Sequence, residues 1–288
     1  MRKQYFAIAV SAAFALTLTA CSGDGGSDEA KAPSTTSVSH IHGVGIDPAD
    51  DRLYVATHEG IFTPDKDGKP QRVGESRDDY MGFTIAEART FLASGHPAAD
   101  GEGPGNKGLI ESTDAGKTWK TKSLSGEVDF HALDYVDGTI YGYDSTNGKV
   151  RVSKDGVEWQ DRATLPALDI AVNPDDPQML LATTEAGVAK STDGGKTFAD
   201  GAEPALFFVS WGPRGAAYGL DGSGALYRST DSGSTWKKTG AVPGGQPQAL
   251  TAVDADRILA ATQDGVYESK DGGKTFDQRL DIASEGGH

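Results

Sequence analysis

Six histidines occur in this chain of 288 residues, and five of them (His40, His42, His58, His96 and His131) lie in its first half; the sixth is His288. His40 and His42 are two apart, so on an extended strand their imidazoles share one face. Carboxylates are interspersed among them: Glu59 follows His58, Asp79 precedes Met81 by two residues, Asp129 precedes His131 by two, and Asp144 comes further on. Imidazole nitrogens close to carboxylate oxygens form the donor set of a divalent-metal site and suit copper or zinc. A thioether from Met81 would add a soft donor and tilt the choice towards copper. The same carboxylates, Asp79, Asp129, Asp144 and Glu59, are candidates for the acid and base of glycoside hydrolysis, which needs a pair about 5 Å or about 6.5–9.5 Å apart. Buried histidines can equally serve only to satisfy backbone groups between packed sheets. Cys21 is the only cysteine, so the rest of the chain has no internal disulfide, zinc–thiolate centre or cysteine nucleophile.

What must position these residues is a repeat. Five segments share one turn, beginning at Ser112, Ser153, Ser191, Ser229 and Ser269, with Ser-Thr-Asp-Gly-Gly-Lys-Thr-Phe over 191–198 as the fullest copy. Starts at 38–41-residue intervals mark a tandem architecture. In each turn the aspartate (Asp114, Asp155, Asp193, Asp231 or Asp271) can accept backbone N–H bonds, and a glycine can take positive φ. The closing Trp or Phe is placed to pack between sheets. Short apolar runs alternate with turns and no long helical period appears, which predicts an all-β chain. In the fourth unit the expected strands are Leu168–Val172, Met179–Thr183, Val188–Lys190 and a last one from Lys196. Thr63–Lys69 reads as a degraded copy of the turn, which extends the array back to Ile41.

These turns resemble the Asp-box, or BNR repeat, of sialidases and other propellers. The resemblance implies a β-propeller with four antiparallel strands per blade, six blades over residues 38–281, or seven if blade edges are shared differently. In propellers, ligands sit at one end of the central channel, formed by the starts of the innermost strands and the loops after the second strands. Aligning the innermost strands on Val44, Phe83, Leu133, Leu168, Val209 and Leu250 puts His42, Met81, His131, Pro166, Phe207 and Gln248 at one register near that mouth. His40, Asp79, Asp129, Thr164, Ala205 and Gln246 fall two residues earlier. His58 with Glu59, His96 and Asp144 follow the second strands of the first three blades, and the glycine-rich insertion 96–106 would hang over the mouth.

The sialidase likeness fails at chemistry: Arg-Ile-Pro is absent, and His40-Ile-His42-Gly takes its strand. A closer resemblance, carried by His40-Ile-His42-Gly, Ala56-Thr-His58, Asp79-Tyr-Met81-Gly-Phe and Ala93-Ser-Gly-His96-Pro, is to actinobacterial lipoproteins labelled as glycosyl-hydrolase-like propellers. That label implies a fold and no established reaction.

The N-terminal segment indicates a compartment. Arg2 and Lys3 precede an apolar run over Phe6–Ala20, of signal-peptide length, and Leu18-Thr-Ala-Cys21 resembles a bacterial lipobox. The expected organisation is a signal peptide over 1–20, an acylated tether over 21–37, the propeller, and a tail over 282–288. The protein is then extracytoplasmic, held by lipid on the outer face of the cell membrane. Removing residues 1–20 takes away two basic and no acidic residues, so the net charge of −15 becomes −17. Such a chain repels phosphate backbones, which excludes nucleic acid as a partner and favours cations. Three functions remain open: binding of a metal ion or small ligand, glycoside hydrolysis other than true sialidase activity, and a scaffold for another envelope protein.

Overall fold

The first strand of each repeat is mixed in character, the second mainly apolar and the fourth mainly polar, and this gradient sets their depth. The computed structural model describes residues 38–213 and 216–282; Cys21, the expected signal and tether segments and His288 lie outside them. Among the described residues there are 23 strands and no helix, arranged as a β-propeller of six antiparallel sheets. Blade one comprises Ile41–Asp47, Arg52–Thr57, Gly60–Pro64 and Pro70–Val73; blade two, Asp79–Glu87, Thr90–His96, Leu109–Ser112 and Lys120–Ser123. Blade three comprises Phe130–Val136, Thr139–Asp144, Lys149–Ser153 and Gln160–Thr164; blade four, Ile170–Val172, Leu180–Thr184 and Gly187–Ser191. Blade five comprises Phe208–Gly212, Ala216–Leu220, Ala225–Ser229 and Lys237–Ala241; blade six, Pro247–Ala252, Ile258–Thr262, Gly265–Ser269 and Asp277–Asp281. Second strands such as Ile258–Thr262 are buried at every residue, because neighbouring blades cover both faces. Fourth strands such as Lys120–Ser123 face solvent.

Blade four departs from the expected plan. No regular strand starts at Lys196; its place is taken by a single bridge between Val188 and Ala202, with Ala199 N donating to Lys190 O at 2.9 Å. Phe198-Ala-Asp-Gly-Ala-Glu-Pro204 has too little β-propensity to pair continuously.

The repeated turns work by one hydrogen-bond scheme. Ser191 Oγ donates to Asp193 Oδ1 at 2.8 Å, which also accepts the amides of Lys196 and Thr197 at 3.0 Å, while Thr197 Oγ1 donates to Oδ2 at 2.7 Å. The hydroxyl and amide of Thr197 hold the Asp193 carboxyl down at about 2. Asp114, Asp231 and Asp271 sit in the same cradle, and Asp155, in the short copy, accepts from Val157 and Glu158. The closing aromatics Trp119, Trp159, Phe198, Trp236 and Phe276 pack into five successive inter-blade cores. Asp65 keeps the turn of blade one, accepting from Asp67 N and Lys69 N, but Pro70 follows where the aromatic would stand. The core between blades six and one accordingly lacks an aromatic from a turn and is filled by Ile41, Val55, Phe62 and Leu259. Gln248 Oε1 accepting Ile41 N, Thr251 Oγ1 donating to Val44 O, and the Lys69–Asp281 ion pair at 2.6 Å close the ring there.

Candidate functional site

The first strands of successive blades neighbour one another in a closed ring around a channel of about 390 Å³. At the mouth the ladders are irregular. The register shifts between Ile41 and Gly43 in blade one, between Tyr80 and Phe83 in blade two, and between Pro247 and Ala249 in blade six. In blade three Phe130 pairs with Asp144 and Ala132 with Tyr143. His42, Met81, His131 and Gln248 occupy these bulges. A bulge frees one residue from pairing and re-aims its side chain, and His42 and His131 accordingly line the channel.

One strand position further out, cross-strand partners meet. His58 N donates to His40 O, Asp79 pairs with His96, and Ser145 N donates to Asp129 O. Three histidines and a carboxylate converge on blades one and two. The rings of His40 and His42 lie 4.7 Å apart, His42 and His58 4.5 Å, and His40 and His58 5.4 Å. His58 Nδ1 is 3.1 Å from Asp79 Oδ2, and His42 Nε2 is 3.7 Å from Asp79 Oδ1. One donor atom each from His42, His58 and Asp79 falls within a 4.8 Å span. His42 Nε2 and Asp79 Oδ1 are buried and have no hydrogen-bond partner. Burial, then the neighbouring His40 and His58, drive the His42 imidazole down to about 3, so its lone pair stays free near neutrality. His40 Nδ1 meets Gln248 Nε2 at 3.2 Å, and burial and His58 lower it too.

A second group lies on blades two and three. His131 Nε2 is 2.7 Å and His96 Nε2 3.5 Å from Asp129 Oδ2, and His96 Nδ1 donates to Gly105 O at 2.8 Å. Burial pushes the Asp129 carboxyl up, but the His131 hydrogen bond and the potentials of His131 and His96 outweigh it and leave it below the usual range. The insertion 96–106 is tied down at the mouth: Lys107 bonds Asp78 at 2.8 Å, and Ala98 N donates to the same carboxylate at 3.0 Å.

The remaining sequence candidates stand differently. Asp144 is fully buried, its carboxylate taken by Arg151 Nε at 2.9 Å and Asn147 Nδ2 at 2.8 Å. The residue equivalent to His58 and His96 is Ser145, one further on, and a one-residue slip on a strand reverses the face. Glu59 points away to Ser39, whose N and Oγ both donate to it. Met81 is half-buried in the bulge between Tyr80 and Phe83. In blade four the ladder aligns Ile170, not Leu168, with Val44, since Ile170 pairs with Ala182 as Val44 pairs with Val55. Leu168 therefore replaces Pro166 at the mouth, and it and Phe207 are exposed there, at 59% and 46%. The mouth thus has an imidazole half and an apolar half.

Two channel residues were not anticipated. Asp134 and Asp169 are half-buried in the channel wall and accept backbone amides of the next blade, Val172 N at 2.8 Å and Val209 N at 3.0 Å. An aspartate inside an apolar inner-strand run was the signal available. Burial raises Asp134 to about 6 and Asp169 to about 7, the latter helped by Asp134. Both native carboxyls therefore keep their protons to higher pH than an unfolded aspartate does. The stability they contribute falls as pH rises from about 4 through 7, by on the order of 3 kcal/mol each. Carbon-13 NMR of the side-chain carboxyls should show two titrations near 6 and 7, the upper one lost in Asp169→Asn. Titration of every aspartate below pH 5 would contradict this.

No protein-family model and no curated protein sequence matches the chain. Solved structures do. A streptogramin B lyase aligns with a TM-score of 0.59 at 14% identity over 85% of this chain and 84% of its own. YCF48 bound to a D1 peptide aligns with a TM-score of 0.54 at 15% identity, covering 86% of this chain and 83% of that one. The GH74 xyloglucanase from Xanthomonas campestris gives 0.54 at 16% identity over 85% of this chain; the match spans only 46% of the enzyme. These proteins differ in what their names say they do, and at such identities they share with this chain one thing, the β-propeller fold.

Proposed function

We propose that the chain is an extracytoplasmic lipoprotein, anchored through Cys21, whose sialidase-like Asp-box propeller binds a divalent transition-metal ion at His42, His58 and Asp79. The observation that carries this reading is the pair of buried, unpartnered polar atoms, His42 Nε2 and Asp79 Oδ1, within reach of His58 Nδ1. Leaving such atoms unpaired costs about 1–3 kcal/mol each, a cost that a cation removes. Two imidazoles and a carboxylate suit zinc or copper, and copper is favoured at equal supply. His40, held by Gln248, buttresses both imidazoles. The net charge of −17 left after residues 1–20 are removed attracts cations to the protein.

Full-length, tag-free protein incubated with copper or zinc and desalted is expected to retain metal, and a His42→Ala/His58→Ala variant to lose it from this site. No retained metal in the unaltered protein would refute the proposal. A second reading, a small organic ligand, is favoured by exposed Leu168 and Phe207 across the mouth; it predicts ligand binding that survives metal chelation and weakens in Phe207→Ser. Glycoside hydrolysis has less support. Of the four carboxylates considered for it, Asp144 and Glu59 are engaged elsewhere, and Asp79 and Asp129 each face histidines. An envelope scaffold would be recognised by a membrane partner retained in the His42→Ala/His58→Ala variant.

A further inference from the structure

We infer that the mouth carries a second divalent-cation site, separate from the first, formed by His96 and Asp129 with His131 in support. It rests on the metal-binding reading of the first site and doubles the number of ions bound.

Three observations converge. Asp129 is 6% exposed, and its Oδ1 has no partner although its surroundings exclude water from that atom. A buried carboxylate oxygen normally has a donor. Second, His96 has a defined tautomer. Gly105 O can only accept, so Nδ1 carries a proton, and Nε2 is the ring nitrogen left to face a cation. That nitrogen lies 3.5 Å from Asp129 Oδ2. An imidazole nitrogen and a carboxylate with one oxygen unpartnered, this close together, are donors to a shared cation. A backbone carbonyl fixing the far ring nitrogen is also how ligating histidines are commonly oriented. Third, the remaining bonds to Asp129 hold it in place and leave Oδ1 free. His131 Nε2 bonds Oδ2 at 2.7 Å, and Ser145 Oγ bonds Oδ2 at 3.3 Å and the Asp129 carbonyl at 3.1 Å.

The two sites are neighbours by construction. Asp79 of the first and His96 of the second are opposed residues of one ladder in blade two. His42 of the first and His131 of the second line the same channel. The second site has fewer nitrogen donors within reach, so it fills after the first.

Zinc titration of the full-length, tag-free chain, with bound ions counted after desalting, tests this. Two ions per chain are expected, one in His96→Ala, one in His42→Ala and none when both are changed. In long-range proton–nitrogen spectra the His96 Nε2 resonance should move only with the second equivalent, which a purely structural imidazole would not do. One ion per chain, unchanged in His96→Ala and with His96 Nε2 unmoved, would overturn the second site and leave the first standing. No ion in any form would overturn both. Because Asp129 is buried, Asp129→Asn is read only alongside His96→Ala, whose ring lies at the surface of the group.

Discussion

Gly95→Ala should destabilise the protein by about 3–5 kcal/mol and weaken metal retention with it. Gly95 has φ of +140°, a conformation that L side chains rarely adopt, and a Cβ there would stand 1.9 Å from the Asp79 carbonyl oxygen and 3.0 Å from Met81 N. Neither neighbour is a flexible side-chain end; both are backbone of the facing strand. The two strands must separate at the pair that bears Asp79 and His96, so fold and site fail together. Gly103→Ala is the control: φ is +115° but nothing lies within 4 Å of the added carbon, so only the conformational cost remains, about 1 kcal/mol. Urea unfolding of both variants distinguishes these terms. A loss at Gly95 no greater than that at Gly103 would show that the strands tolerate the intrusion.

His42→Ala should separate function from stability. Metal affinity at the first site is expected to fall at least about 100-fold, since even residues that only orient ligands are worth 10–100-fold. The metal-free variant should be as stable as the metal-free native chain within about 1 kcal/mol, because relief of a buried nitrogen with no partner offsets the packing lost with the imidazole ring. The native chain at a metal concentration 100 times its Kd should gain about 2.7 kcal/mol, and the variant should gain almost none from this site. Unfolding with and without chelator measures both quantities. If the metal-free variant lost several kcal/mol while its affinity stayed the same, His42 would be a packing residue and the site would lie elsewhere.

Much of the architecture was legible because its cause is local. A turn of Ser, Asp, Gly and Thr satisfies its own hydrogen bonds, and its closing aromatic must be buried, so repeats in register imply blades in register. Even the absent aromatic at Pro70 has its counterpart in the core between blades six and one. Less legible was the register within a blade. Leu168 for Ile170 and Asp144 for Ser145 are slips of two residues and one residue. Apolar runs such as Leu168-Asp-Ile-Ala-Val172 do not say which apolar residue starts the ladder. The second slip is the costlier, because it places a carboxylate at the mouth that is in fact buried against Arg151.

The sequence by itself determined the propeller, the approximate count of blades and the concentration of histidines at one end of three of them, because each follows from residue type and spacing within about 40 residues. Only the tertiary structure decided that five histidines divide into two groups, around Asp79 and around Asp129. It also decided that His42 and His131 turn into the channel at bulges, and that Asp134 and Asp169 lie in its wall. The physical reason is that bulges and ring closure are set by how neighbouring blades pack, and no single repeat contains that information.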